Sequence, residues 1–319
     1  MLQTPVRATM LLAAATLLAP AAYAESARMT GRFAAPYRDA AMLDSLRIGR
    51  IGGEDGMQLG MAIERALGRP DIEGRTHFEL VGGRGGDADG LLNGNVVTGV
   101  QETKFKRKEK ECVEREGGKR DGKCLKEEEV EKDCTRRVIN VNADLRLAGP
   151  DGRVLYSVSR PRRDETSWCR GQNPPRTTEE AIRGMIIDIA ENVRRDIVPS
   201  VEDYSIRFRE STKGLPKDLV RPFKDIVRQT QRDLRGACAA WATMDQQAPN
   251  HASITFDLGL CAESAGEYER ALALYRRAAP LIGRGGNEAT AGAERAQRLI
   301  AGRDDEAERR RGRRGPGRR

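Results

Sequence analysis

Six cysteines and two histidines are the side chains of this sequence best suited to chemistry. Cys112, Cys124, Cys134, Cys169, Cys238 and Cys261 form an even set, which in an oxidising compartment favours disulfides over free thiols. Zinc is the competing arrangement, because the first three cluster. That cluster lacks a Cys-x-x-Cys knuckle, and His77 and His251 lie far from it along the chain. In an antiparallel pair of strands or helices, residues equidistant from the turn face each other. Cys112 and Cys124 are centred on Gly118, Cys134 and Cys169 between Asp151 and Gly152, and Cys238 and Cys261 between Pro249 and Asn250. Of the fifteen connectivities open to six cysteines, this symmetry predicts Cys112–Cys124, Cys134–Cys169 and Cys238–Cys261.

Other candidates for chemistry have plainer readings. Neither histidine has a Ser, Cys or Asp nearby in a catalytic arrangement, and both read as surface or boundary residues. The acid pairs Glu179-Glu180 and Asp304-Asp305 read as helix-start or solvated charges. The run Gly49-x-x-Gly52-Gly53-x-x-Gly56 lies between a strand and a helix, where a phosphate could meet the helix amino end. It matches neither phosphate-binding glycine pattern, and Glu54 and Asp55 would repel the ligand. A tight β–α turn is the better reading. No catalytic residue, cofactor or metal is expected, and the chain reads as a non-enzyme.

The setting for these residues comes from the amino terminus. Arg7 precedes an apolar stretch, 8–19, which Pro20 breaks before Ala22-Tyr23-Ala24. That is a signal peptide cleaved between Ala24 and Glu25, which implies a periplasmic or secreted protein. The stretch is too short for a spanning helix, no cysteine near the cleavage point could carry lipid, and no later segment predicts a transmembrane helix. The net charge of +8 is concentrated at the carboxyl end, where 309–319 holds seven arginines and no acid. Setting those and Arg7 aside leaves 48 basic residues against 48 acidic ones. Export argues against nucleic acid as the partner of this basic end. It reads as a disordered solubilising tail, 304–319, or as a contact to an anionic envelope surface.

The elements around the cysteines make an α+β arrangement followed by an all-α region. Residues 25–44 read as a mobile lead-in. A strand near 46–51, a helix from 54 to 67, a strand at 77–83 and another at 91–101 give a β-α-β-β opening. The stretch 103–137 is dense in Lys, Arg, Glu and Asp and reads as a long polar β-ribbon turning at Gly117-Gly118 and Asp121-Gly122. Val138 to Val158 forms a hairpin about Gly149-Pro150-Asp151-Gly152. Thr177 and Glu180 form a capping box, and Ile182, Met185, Ile189, Val193 and Ile197 share one face of the helix that follows. Residues 204–208 add a closing strand. The fold class is thus a mixed β-sheet with two helices and a polar ribbon over 45–209. A linker (210–216) and a helical domain (217–303) follow.

Two resemblances follow from these motifs. Leu258, Gly259, Gly266, Tyr268, Ala271, Tyr275 and Ala278 stand at tetratricopeptide-repeat spacings, and Ala237, Trp241 and Pro249 fit the second helix and exit proline of a preceding repeat. Residues 225–282 therefore resemble about one and a half such repeats, with Thr255 and Ala262 in place of preferred aromatics. The earlier part resembles the periplasmic domains of the CsgG and TolB amino-terminal type, through Gly94-Asn95-Val96 and the hairpin from Arg146-Leu147 to Gly152-Arg153-Val154. This resemblance implies a role in envelope assembly or secretion beside an envelope protein partner. The lipid-bearing cysteine of CsgG proteins is missing, and the ribbon carries charge on both faces, so a pore is not expected. A binding module for an anionic envelope polymer, working through ribbon and tail, is the alternative.

Overall fold

The structure, a computed structural model, describes residues 25–82, 87–118, 121–283 and 287–314. A mixed α+β part leads into a helical carboxyl-terminal region. Its elements are β1 (Ser26–Phe33), α1 (Arg38–Ala41), β2 (Ser45–Gly52), α2 (Gly56–Leu67), β3 (Glu79–Leu80), β4 (Gly90–Arg115), β5 (Cys124–Ala148), β6 (Val154–Cys169), α3 (Thr178–Ile197) and β7 (Ser200–Arg207). Five helices follow: α4 (Lys217–Gln229), α5 (Leu234–Gln247), α6 (Ala252–Ser264), α7 (Tyr268–Ile282) and α8 (Asn287–Arg314).

The main sheet has the order β3-β2-β4-β5-β6. β2 pairs in parallel with β3 and β4, while β4, β5 and β6 form an antiparallel meander. Period-2 alternation explains which face is covered. Ile139, Val141, Ala143, Leu145 and Leu147 of β5 all point to one side, against α2 and α3. α3 starts as its sequence says: Thr177 Oγ1 accepts the N–H of Glu180, and the Glu180 carboxylate accepts the N–H of Thr177. Its apolar stripe through Met185, Ile189, Val193 and Ile197 is buried. The glycine run makes the tight β2–α2 turn. Gly53 has φ +93°, and a β-carbon there would meet the Val96 carbonyl oxygen at 1.8 Å.

Three segments depart from their sequence readings. The lead-in 25–44 is ordered: β1 pairs antiparallel with β7 over eight residues, Ser26↔Arg207 to Phe33↔Ser200. These two strands form a separate sheet, so β7 does not close the main one. The sheet lies on the helical region, where Ala27 and Met29 join the core of Phe256, Leu260 and Tyr275. The linker 210–216 does lie between β7 and α4 as read, with Leu215 buried beside Phe223 and Trp241. The supposed tail does not begin at 304, because α8 continues through Arg314. Its 28 residues span about 42 Å, and Asp305 and Arg309 on it are buried. Of the strand expected over 77–83, the described residues to 82 form only Glu79–Leu80, and 83 lies outside them.

Candidate functional site

β4 and β5 run far past the rest of the sheet. β6 ends at the Cys134↔Cys169 pair, and beyond it β4 and β5 continue alone to Arg115↔Cys124. At ~3.3 Å per residue, this two-stranded arm projects about 33 Å. None of its described side chains outside the base enters a hydrophobic core. A free two-stranded ribbon is marginal in water, and this one is braced covalently at both ends. Cys134–Cys169 ties its base to β6, and Cys112–Cys124 closes it near the tip. The third disulfide, Cys238–Cys261, joins α5 to α6. These are the pairs that symmetry about the three turns predicts.

Charge on the arm is matched across the strands. Lys106 meets Glu131 at 3.1 Å, Lys108 meets Glu129 at 3.9 Å, and Lys132 bridges to Glu109 at 3.0 Å and to Glu111. Hydrogen bonding to Glu111 and Glu109 pushes the Lys132 ammonium up, and the Glu131 contact does the same for Lys106. The arm therefore offers a polar, nearly balanced surface, with Phe105, Val113 and Leu125 as its exposed large apolar residues.

The repeat-like residues come together in the helical region. Ala237, Trp241, Ala271, Tyr275 and Ala278 are fully buried, Leu258 and Gly259 are buried, Tyr268 is half-buried, and Pro249 and Gly266 lie at exposed turns. Trp241 packs edge-on against Phe223 at 4.8 Å between ring centres. Phe256, not Thr255, supplies the aromatic contact to Tyr275.

A buried network behind Tyr275 has no counterpart in the sequence reading. Glu263, with 0% of its side chain exposed, accepts from Arg295 Nε at 2.6 Å, Tyr275 Oη at 2.5 Å and Tyr204 Oη at 2.8 Å. Burial, and then the Glu263 charge, push both tyrosine hydroxyls up. Burial pulls the Arg295 guanidinium down, but its bonds to Glu263 outweigh that and hold it up. The network ties β7, α6, α7 and α8 at one point. No local pattern could reveal it, because its four members come from four elements.

The two histidines are structural. His77 Nε2 lies 2.9 Å from the Ala41 carbonyl and its ring meets Arg309. His251, at the start of α6, holds the Lys213 carbonyl at 3.1 Å, and burial pushes its imidazole down. Both stand at element boundaries, as read: His77 is half-buried just before β3, and His251, buried, caps the start of α6. Glu180 serves the capping box, whereas Asp305 is buried against Arg38 Nε at 2.6 Å and is not a solvated charge. Among the described residues no group of three or more His, Cys, Asp or Glu side chains is disposed to hold a metal. No described helix is long and apolar enough to cross a membrane. Ala22 and Ala24 lie outside the described residues, which begin at Glu25; 315–319 lie outside them too.

No protein-family model matches the chain, and no curated protein does. Among solved structures, it is similar to the PelC dodecamer from Paraburkholderia phytofirmans, at 14% identity and a TM-score of 0.26. The match covers 54% of this chain and 96% of that one.

Proposed function

We propose that this is a non-catalytic protein of the cell envelope that holds a protein partner through the β4–β5 arm. The arm carries the reading: a long ribbon outside every core, braced by two disulfides, serves contact better than stability. Support comes from the disulfides, which suit an oxidising compartment, and from the signal-peptide pattern before Glu25. The resemblance to CsgG and TolB amino-terminal domains adds envelope assembly or secretion as the setting. The repeat-like helices supply a second protein-binding surface of tetratricopeptide type. The polymer alternative is weaker on the ribbon, because its lysines already face its own glutamates.

Arg107 and Lys132 are register partners, so replacing 108–131 by Asn-Gly closes the shortened arm with a two-residue turn. Cross-linking in intact envelopes should then lose the partner bands that the full-length protein gives, with an unchanged circular-dichroism spectrum. Identical bands from both proteins would remove the arm from the interface.

A further inference from the structure

The seam between the sheet part and the helical region holds a polar cavity of about 160 Å³. Arg32 of β1, Arg75, Arg194 at the end of α3, and Arg309 and Arg310 of α8 line it, facing only two lining carboxylates, Asp71 and Glu306. A hollow of about 290 Å³ shares Asp71, Arg194, Val198 and Pro199 with it and adds Ile72 and Arg195. Another of about 340 Å³ shares Arg32, Glu306 and Arg310 and adds Tyr268 and Arg303. Seven arginines line this groove of adjoining hollows.

Several of these cations are already compensated. Arg32 bonds Asp71 at 3.2 Å and Glu73 at 2.8 Å, and Arg75 shares Glu73. Arg310 bonds Glu306 at 2.8 Å, Arg309 faces Asp44 at 3.5 Å, and Arg303 is held by Glu269 and Asp304. Arg194 and Arg195 differ. Arg194 Nη1 donates to the carbonyls of Ala66 and Arg69, both at 2.7 Å, and meets no carboxylate within 4 Å among the described residues. On its helix, Glu191 is taken by Arg69 and Asp196 by Arg160. Among the described residues, Arg195 bonds only the side-chain oxygen of Asn192. Burial and then the neighbouring Arg69 charge hold the Arg194 guanidinium below its ordinary range. A desolvated cation of this kind is stabilised by any anion that reaches it.

We propose that this groove is an oxyanion-binding site, in which the guanidinium groups of Arg194 and Arg195, which line one hollow, hold a phosphate or carboxylate group of a ligand lying along the seam. Guanidinium forks match both groups, which is why the shared chemistry and not one source is assigned. The groove is separate from the arm, so failure of either reading leaves the other intact.

Calorimetric titration of the full-length protein at low salt tests it, with inorganic phosphate, glucose 6-phosphate and glucuronate as probes and glucose as the neutral control. At least one anion should bind, more weakly as salt rises, and glucose should not. Preference for the two phosphates assigns a phosphate site, and preference for glucuronate a carboxylate site. Arg194→Gln should weaken binding about tenfold. Because Arg194 also caps α2, Arg195→Gln is the parallel variant, and it should lose about as much. Absence of binding by all three anions up to ~10 mM, or binding unchanged in both variants, would overturn the proposal.

Discussion

Arg309, near the end of α8, donates to the carbonyl oxygen of Ala41 at 2.7 Å, across 268 residues of sequence. The same guanidinium donates to the His77 carbonyl at 2.9 Å and faces Asp44 at 3.5 Å. The arginine-rich end is thus partly a fastener between the helical region and the sheet part. Charge-assisted bonds to buried groups are worth roughly 1.5–3 kcal/mol each in net terms. Removing 309–319 should therefore lower the thermal midpoint by several degrees, and Arg309→Ala alone by about 3–6 °C. Calorimetric scans of the two variants check this. A midpoint unchanged in both would return Arg309 to a solvated tail.

The three disulfides should differ in what they stabilise. Cys238–Cys261 joins two helices whose faces build the core around Trp241. Replacing both cysteines by alanine should cost about 2–4 kcal/mol, read as a shift in urea midpoint. Cys112–Cys124 lies on the arm, outside every core. Its removal should leave the global midpoint nearly unchanged while hydrogen exchange quickens between 106 and 131. Equal losses in both variants would mean that the arm unfolds with the body.

How much of this was legible depended on where each partner sits in the chain. α3 was readable because its capping box and apolar stripe lie within the helix and the one residue before it, Thr177. The cysteine pairs were readable because each brackets a single turn. β1 was not, since SARMTGRF has only a short apolar alternation and its partner β7 begins at Ser200. The end of α8 was misread for a related reason: seven arginines suggest a solvated tail, and only distant Arg38, Ala41 and His77 make Asp305 and Arg309 buried. In the groove, Arg194 was hidden because its neighbours come from β1, α8 and the segment after α2.

Gly259 gives a test of the repeat-like packing. A β-carbon there would stand 2.6 Å from the Tyr275 ring, and one at Gly292 would stand 2.9 Å from the same ring. Tyr275 is thus clamped between two glycines on different helices. Gly184, mid-helix in α3, has nothing within 4 Å of its β-carbon position. Alanine at Gly184 should stabilise the protein by up to about 1 kcal/mol through helix propensity. Alanine at Gly259 gains the same propensity but overpacks the ring, for a net loss of about 1–2 kcal/mol. Opposite shifts in urea midpoint are expected, and stabilisation by both would mean the Tyr275 contact is loose.

Asp257 makes the stability of the helical region depend on pH. It is fully buried in α6, where Oδ1 accepts the N–H of Arg209 at 2.8 Å and Oδ2 has no hydrogen-bond partner among the described residues. Burial pushes its carboxyl well above the usual carboxylate range, against smaller opposing effects of the Arg209 N–H and charge. Between the unfolded and folded values the native state therefore holds a proton that the unfolded chain has lost. Stability then falls as pH rises from the ordinary carboxylate range through the folded value. Asp257→Asn keeps the acceptor for Arg209 and removes the titration. The variant should be more stable than the parent at about pH 8, with the advantage shrinking towards about pH 3, where aspartate is mostly protonated even when unfolded. Comparing the two proteins at each pH cancels the other titrating groups, including the raised Tyr204 and Tyr275 hydroxyls. A variant less stable than the parent at about pH 8 would mean that the Asp257 carboxylate is charged and held by a cation in the folded protein.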